Sequence, residues 1–515
     1  MLFNSFTFIM FFLPVTWIVY QFCSRFIGSR IALYFLTAAS LVFYSYWEPR
    51  YLLLILMSIG VNFAIGTVLV RLEGNKQKLF LAAGICLNII PLIYYKYTNF
   101  LVENINIFLE APIDPGKIIL PIGLSFFTFQ QLSFLVDACR RKAIALDFMH
   151  YALFVTFFPQ LIAGPIVHHQ EVMPQFAARA DRGDTWRHLA IGSVIFIIGL
   201  FKKVVIADTI ALRSTPIFAA VATGYQPGFF DAWGAAFCYA FQIYFDFSGY
   251  SDMAVGLGWM FGIKLPINFA SPYKANSIID FWRRWHITLS RFLRDYLYIP
   301  LGGSRCSPAR HHLNLMLTMI LGGLWHGAGW TFLLWGLLHG LFLSLNQGWQ
   351  RLFPPSRSSA RRVLGRIVTL LSVVLAWVPF RADSLQSVLA FYRAMIGLEG
   401  LSLPTFLAPL LAGNAAWFAN LGIVAQGTGL IHKNTLYIEI PLLLTVCWAL
   451  PNTFEWLRRE SPGLPTGGYP ATQIDPLGPG WTCRFDWSTA VFMALLFTVC
   501  LVKLNDISEF IYFQF

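Results

Sequence analysis

Apolar runs limit this chain more than anything else in it. Segments 6–23, 31–47, 51–70, 79–97, 118–136, 188–206, 229–262, 363–380 and 486–503 are each dominated by aliphatic and aromatic residues. A helix needs roughly 17–25 apolar residues to cross a hydrocarbon core, so each run spans or nearly spans. With the runs that merge near 312–348 and 385–450, the expectation is about ten to twelve crossings. Composition agrees: 57% of residues are hydrophobic and 12% charged, against roughly 25% charged in a soluble domain. Too little polar surface exists to cover a water-soluble body. The predicted fold class is all-α, a polytopic membrane protein with re-entrant or interfacial helices besides its spans.

The first run is read as a retained span. No basic stretch precedes it and no small-residue cleavage site follows it, so it is a poor signal peptide. Net charge is +12, and its distribution points to the membrane and not to nucleic acid. Arg25 and Arg30 follow the first run, Arg71, Lys76 and Lys78 the third, and Arg140, Arg141 and Lys142 the fifth. The loop 48–50 is tiny, and 98–116 carries Glu103, Glu110 and Asp114 with no Lys or Arg. Positive loops stay in the cytoplasm, which places the N-terminus outside. The cysteines at 23, 86, 139, 238, 306, 447, 483 and 500 form no CxxC pair, and are read as buried thiols with no metal site.

No internal repeat or long low-complexity stretch is visible. Regions 264–311 and 451–485 are polar enough to lie outside the bilayer core, the second as a Pro- and Gly-rich loop. Segment 351–366, with Arg351, Arg357, Arg361, Arg362 and Arg366, is read as cytoplasmic. Tyr151 to Ile166 is short and broken by Pro159, Gly164 and Pro165, which suggests a re-entrant or interfacial element.

Region 264–311 carries the most detail. Ser277 with Asp280 resembles a helix start, and Pro300, Gly302 and Gly303 end the element. Between them Ile278, Phe281, Trp282, Trp285, Leu289, Phe292, Leu293 and Tyr296 keep helical spacing, with Arg283, Arg284, Arg291 and Arg294 on the other side. Such a helix can lie in the interface with its arginines on lipid headgroups. Alternatively some arginines meet the phosphates of an anionic donor. His286 falls on the flank of the apolar stripe and is expected to point into the protein.

Ionisable residues inside spans are functional candidates. His326 ends an apolar run that begins near Leu313, with Gly322, Gly323 and Gly327 leaving room for close helix approach. A histidine can take and return a proton near neutral pH, although a buried histidine is often only a hydrogen-bonded structural residue. His339 is read as structural. Within 229–262, Asp246 and Asp252 need partners or water, either as a structural network or as a polar pocket wall. Lys202, Lys203 and Asp208 are read as bracketing a span end, with no special role. There is no Walker A, dinucleotide, HExxH or GxSxG motif. Two classes remain, a membrane transferase using a buried histidine or a transporter coupled through Asp and His. The missing repeat favours the enzyme.

Four stretches then resemble the membrane-bound O-acyltransferase (MBOAT) family: Tyr244-Phe-Asp-Phe-Ser-Gly-Tyr-Ser-Asp-Met-Ala254, Phe281-Trp-Arg-Arg-Trp-His-Ile-Thr-Leu-Ser290, Leu293-Arg-Asp-Tyr-Leu-Tyr-Ile-Pro-Leu-Gly-Gly303 and Leu321-Gly-Gly-Leu-Trp-His-Gly-Ala328. Pro121–Phe127, Phe158–Pro165, Pro451–Thr453 and Phe510–Phe515 add support. The polysaccharide-acetylating subgroup, typified by alginate O-acetylation, is the nearest match. The resemblance implies one membrane domain over 1–515, with the signature motifs in 90–385 and further helices and a loop in 386–515. It implies a funnel or tunnel through the bilayer of the bacterial inner membrane. His326 would be the essential histidine and His286 the second signature histidine. Arg283, Arg284, Trp285, Trp325, Asp246 and Asp252 are candidates for substrate or donor contact. No cofactor is bound; acetyl-CoA is the implied acyl donor, while the related D-alanyl transferases of teichoic acid use a carrier thioester. Implied partners are membrane lipids, a protein with a serine esterase-like fold and a polysaccharide acceptor. Peptidoglycan and teichoic acid are the alternative acceptors.

Overall fold

Helices make up nearly all of the structure, a computed structural model that describes residues 1–116, 118–140, 147–177, 184–353, 358–402, 423–424, 436–464, 482–504 and 511. Arg141, Lys142, Arg357, much of 385–480 and the terminal run apart from Ile511 lie outside the described residues. The helices are α1 Thr7–Ile27, α2 Ser29–Ser45, α3 Tyr51–Arg71, α4 Gly74–Asn106 and α5 Leu124–Cys139. There follow α6 Phe148–Thr156, α7 Phe158–Leu161, α8 His169–Ala177, α9 Thr185–Ala222 and α10 Phe229–Met260. Next come α11 Ile278–Arg284, α12 Ile287–Leu293, α13 Pro308–His326, α14 Trp330–Leu352 and α15 Ser359–Arg381. The last are α16 Leu385–Met395, α17 Leu436–Ala449, α18 Thr453–Trp456 and α19 Trp487–Lys503. Among the described residues, strand pairing is limited to the two-residue parallel contact of Leu401–Ser402 with Ile423–Val424 and an isolated bridge between Pro266 and Leu464.

Helices α1, α3, α4, α9 and α15 are long and apolar enough to cross a membrane, and α2 and α19 are shorter apolar helices. At 1.5 Å rise per residue, α10, α13 and α14 also reach roughly 28 Å or more, but they carry buried polar residues such as Asp246, Asp252, His326 and His339. The chain is thus an all-α, multi-pass membrane protein. Contacts between loops support the alternation of faces. Gln77 donates to the Cys139 carbonyl at 3.2 Å, which joins the basic loop after α3 to the one after α5. Tyr51 donates to the Ile119 carbonyl at 3.0 Å, which joins the loop before α3 to the one before α5.

Glycines set a close contact between α9 and α10. Gly192 and Gly199 on α9 face Gly256 and Gly249 on α10, and a Cβ on Gly199 would sit 2.6 Å from the Gly249 carbonyl oxygen. Only glycine permits that approach, as expected where small residues mediate packing between spans. Helix α9 continues past this crossing through a π-helical turn at Lys202–Ala207. The expected span end at 206 is therefore absent, because the helix runs unbroken to Ala222.

Much of region 264–311 packs inside the protein: Asn268, Ser271, Lys274, His286, Thr288 and Arg291 are all buried. One further expectation about it needs correction. The continuous amphipathic helix over 277–299 is broken at Trp285–His286, where His286 takes a left-handed backbone with φ 41°. Ser277 does cap the first piece, accepting from the Asp280 backbone N–H at 3.1 Å. The broken segment around α6 and α7 is buried from Tyr151 to Val167. Irregular backbone is tolerated at membrane depth where protein surrounds it.

Candidate active site

His326 is the last residue of α13, so its position depends on how that helix ends. Ser307 and Pro308 start the helix, the serine side chain accepting from the Arg310 N–H at 3.4 Å. After Gly327 the chain turns at once into α14. A Cβ on Gly323 would strike the Phe332 carbonyl, and one on Gly336 the Met319 carbonyl, so these glycines let the two helices close into a tight hairpin.

The last carbonyls of a helix have no intrahelical donors. Here α4 supplies them. Lys96 Nζ donates to the Trp325 carbonyl at 2.5 Å and the His326 carbonyl at 3.0 Å. Tyr97 Oη donates to the Leu324 carbonyl at 2.8 Å. Both residues lie on a π-helical turn, Ile93–Tyr97, and such turns often mark functional positions. The ammonium also sits where a cation is favoured, at a helix C-terminus. Lys96 was missed in the sequence, although a lysine late in an apolar run is itself a signal.

The His326 side chain is buried among aromatic rings. Its centroid lies 5.1 Å from Trp335, 5.1 Å from Phe380 and 5.0 Å from Trp325. His286 enters from α12, with its ring centroid 6.5 Å from that of His326 and 6.2 Å from Trp325. The fold therefore brings three predicted site residues together: His286, His326 and Trp325. Asn268, which no pattern had marked, bonds His286 Nδ1 at 3.0 Å. His286 is wholly buried, as its place beside the apolar stripe predicted.

The other candidates stand elsewhere. Trp285 is buried in an aromatic cluster, 4.9 Å from Trp377 and 5.0 Å from Phe269. Asp246 pairs with Lys203 at 2.6 Å, and Asp252 with Lys202 at 2.6 Å. Thr453 donates to Asp252 at 2.6 Å and ties α18 to this network. The lysines are thus counter-charges for buried carboxylates, not idle charges at a span end. The arginines do not form one cationic face. Arg291 is buried in an ion pair with Glu171, Arg284 bonds Asp280 at 2.8 Å, and Arg294 bonds Asp295 at 2.7 Å. Arg283 alone of the four is exposed. His339 is buried and accepts from Trp282 Nε1 at 3.3 Å. No group of three or more His, Cys, Asp or Glu among the described residues could hold a metal.

The fold and this histidine pair define a helical membrane protein with two imidazoles buried side by side. Residues 3–389 match the sequence pattern of MBOAT, the membrane-bound O-acyltransferase family. The chain is 43% identical to a peptidoglycan O-acetyltransferase of Helicobacter pylori, over 78% of this chain and 81% of that protein. It is 36% identical to a probable alginate O-acetylase AlgI of Pseudomonas aeruginosa, over the whole of both. A teichoic acid D-alanyltransferase of Streptococcus thermophilus is 26% identical over 50% of this chain and 68% of that protein. The chain belongs to the MBOAT family and is a membrane acyltransferase, so the transporter alternative falls.

Proposed function

We propose that this enzyme takes acetyl groups from acetyl-CoA on the cytoplasmic side of the bacterial inner membrane and supplies them for O-acetylation of an exported polysaccharide. The observation that carries the reading is the convergence of buried His286 and His326 within 6.5 Å inside an aromatic pocket. Orientation follows from the basic loops, which mark the cytoplasmic face.

A thioester is already activated. Transfer requires an acceptor hydroxyl to attack its carbonyl carbon, so that a C–O bond forms as the C–S bond breaks. The hydroxyl proton must go to a base and then to the departing thiolate. His326 serves as that base, or takes the acetyl group transiently before handing it on, and His286 orients the substrate or assists the proton. General base catalysis contributes roughly 10²–10⁴-fold, and holding the reactants in a dry pocket supplies much of the rest. Arg283, exposed and with no ion pair among the described residues, is the arginine that meets donor phosphates in this reading. A partner with a serine esterase-like fold would complete delivery to the polymer.

Acetyl as the group and a glycan hydroxyl as the acceptor are supported by two relatives, both named as O-acetylating enzymes. An alginate-like exopolysaccharide is the first reading because that likeness runs the full length of both chains. Peptidoglycan is the second, favoured by the 43% identity. A deletion strain decides between them: acetyl content of secreted polysaccharide and of purified peptidoglycan is measured, and the polymer that loses ester acetate is the acceptor. If neither loses it, acetyl transfer to an envelope glycan is wrong.

A further inference from the structure

Which nitrogen of His286 carries the proton follows from the groups around Asn268. The Asn268 side-chain oxygen lies 3.0 Å from His286 Nδ1, 3.3 Å from the Thr288 backbone nitrogen and 2.9 Å from Thr288 Oγ1. Its amide nitrogen donates to Ser251 Oγ at 3.2 Å. A backbone N–H can only donate, so the amide atom facing Thr288 is the oxygen. Thr288 Oγ1 already accepts from the Ile166 N–H at 3.0 Å, which leaves its own proton for the same oxygen. A ring nitrogen bonded to a carbonyl oxygen must itself be the donor. His286 therefore bears its proton on Nδ1, and in the neutral ring Nε2 is a bare lone pair. That nitrogen is buried, with no protein partner among the described residues.

The backbone serves the same arrangement. His286 adopts a left-handed conformation, φ 41° and ψ 55°, which residues with a Cβ seldom take. The Ile287 N–H donates to the Asn268 carbonyl at 3.0 Å, and the Ala270 N–H to the Arg284 carbonyl at 2.9 Å, so the strand-like stretch around Asn268 brackets the turn on both sides. Phe247 closes one side of the ring, edge-on at 4.7 Å.

We propose that Asn268 is a positioning residue that locks His286 in the Nδ1–H tautomer, so that Nε2 accepts a hydrogen bond from a neighbouring hydroxyl of the acceptor, beside the one that His326 deprotonates. In this state His286 offers no proton to the substrate, so it orients the acceptor for attack and does not stabilise an oxyanion. The claim about substrate rests on the acyl-transfer reading above; the claim about the tautomer does not.

The test uses full-length protein in detergent, labelled with ¹⁵N-histidine, with the His286 signals assigned by their loss in His286→Gln. The parent should give a protonated Nδ1 and a bare Nε2. Asn268→Leu should convert this to the other tautomer or a mixture, while Asn268→Asp, which keeps the acceptor oxygen, should retain it. With ¹⁴C-acetyl-CoA as donor and total envelope polysaccharide as acceptor, Asn268→Leu should lower transfer about 10–100-fold, by analogy with the loss when the group that orients a metal-ligating imidazole is removed. Asn268→Asp should recover most of that loss, and Asn268→Leu should cost nothing further in a His286→Gln background. A protonated Nε2 in the parent overturns the proposal. So does an unmoved His286 spectrum in Asn268→Leu, or multiplying losses in the double variant. If Asn268→Leu fails to accumulate, the parent and Asn268→Asp spectra decide. The tautomer is read without turnover, so failure of the acyl-transfer reading would appear separately, as no ¹⁴C-acetyl transfer by the parent protein.

Discussion

Asp246 and Asp252 each meet a lysine at 2.6 Å across the contact between α9 and α10, whereas His286 keeps a buried ring nitrogen without a protein partner among the described residues. Both arrangements put polar groups where water is scarce, but they differ in what is left over. The carboxylates are matched by Lys202, Lys203 and Thr453, and Lys203 also bonds Asp208 at 2.7 Å. A matched buried charge holds helices in register and has little to offer a substrate. An unmatched lone pair costs stability, and it persists where a ligand can complete it. The sequence alone offers Asp246, Asp252, His286 and His326 together as candidates; their partners separate the two carboxylates from His286.

Three substitutions sharpen that contrast. The largest effect is expected in the matched set. Lys203→Met strands Asp246 as an uncompensated buried charge, which costs about 3–5 kcal/mol. The variant should be recovered in far lower folded yield by detergent size-exclusion chromatography. Lys203→Met with Asp246→Leu should recover most of it, and a double variant no better than the single would show that the pair is not what holds α9 to α10.

At the site itself, Lys96→Met leaves the Trp325 and His326 carbonyls without their donor, worth about 1–3 kcal/mol. Accumulation should stay within about twofold of the parent, while acetyl transfer drops about tenfold for each 1.4 kcal/mol of lost positioning. Lys96→Arg should be milder because it retains a donor. Full activity in Lys96→Met would mean that α13 holds His326 unaided. The smallest effect belongs to Arg283→Glu, expected to raise KM for acetyl-CoA a few-fold with kcat little changed. Arg284→Glu is a poorer probe, because it also breaks the 2.8 Å bond to Asp280. An unchanged KM in Arg283→Glu would leave that arginine as a headgroup anchor.

How much of this was legible follows from the range of each interaction. Span positions came directly from run length, and α3, α10, α15 and α19 begin and end within a few residues of their apolar runs. The break at His286 did not, because apolar spacing continues through Trp285 and no glycine announces the left-handed turn. Arg291 looked like one of four surface arginines, since its partner Glu171 lies 120 residues away in the chain. Lys202 and Lys203 looked like a span end for the same reason: the carboxylates that answer them sit on another helix. The two histidines stood out in the sequence, His326 within an apolar run and His286 beside an apolar stripe, with family motifs adding to both, but their convergence depends on the α13–α14 hairpin and the Lys96 cap, which only the fold displays.

The central claim is that His326 carries the transfer, with His286 assisting, while His339 holds the structure around them. The direct measurement is the initial rate of ¹⁴C-acetyl transfer from acetyl-CoA to envelope polysaccharide by purified, folded His326→Ala, run beside His339→Ala. Removal of a buried polar side chain within a span relieves a desolvation cost, so both variants should insert normally. His326→Ala should fall by at least the roughly 10²–10⁴-fold that a general base supplies, and His339→Ala much less. Transfer by folded His326→Ala at the parent rate would contradict the account, as would an equal loss in His339→Ala.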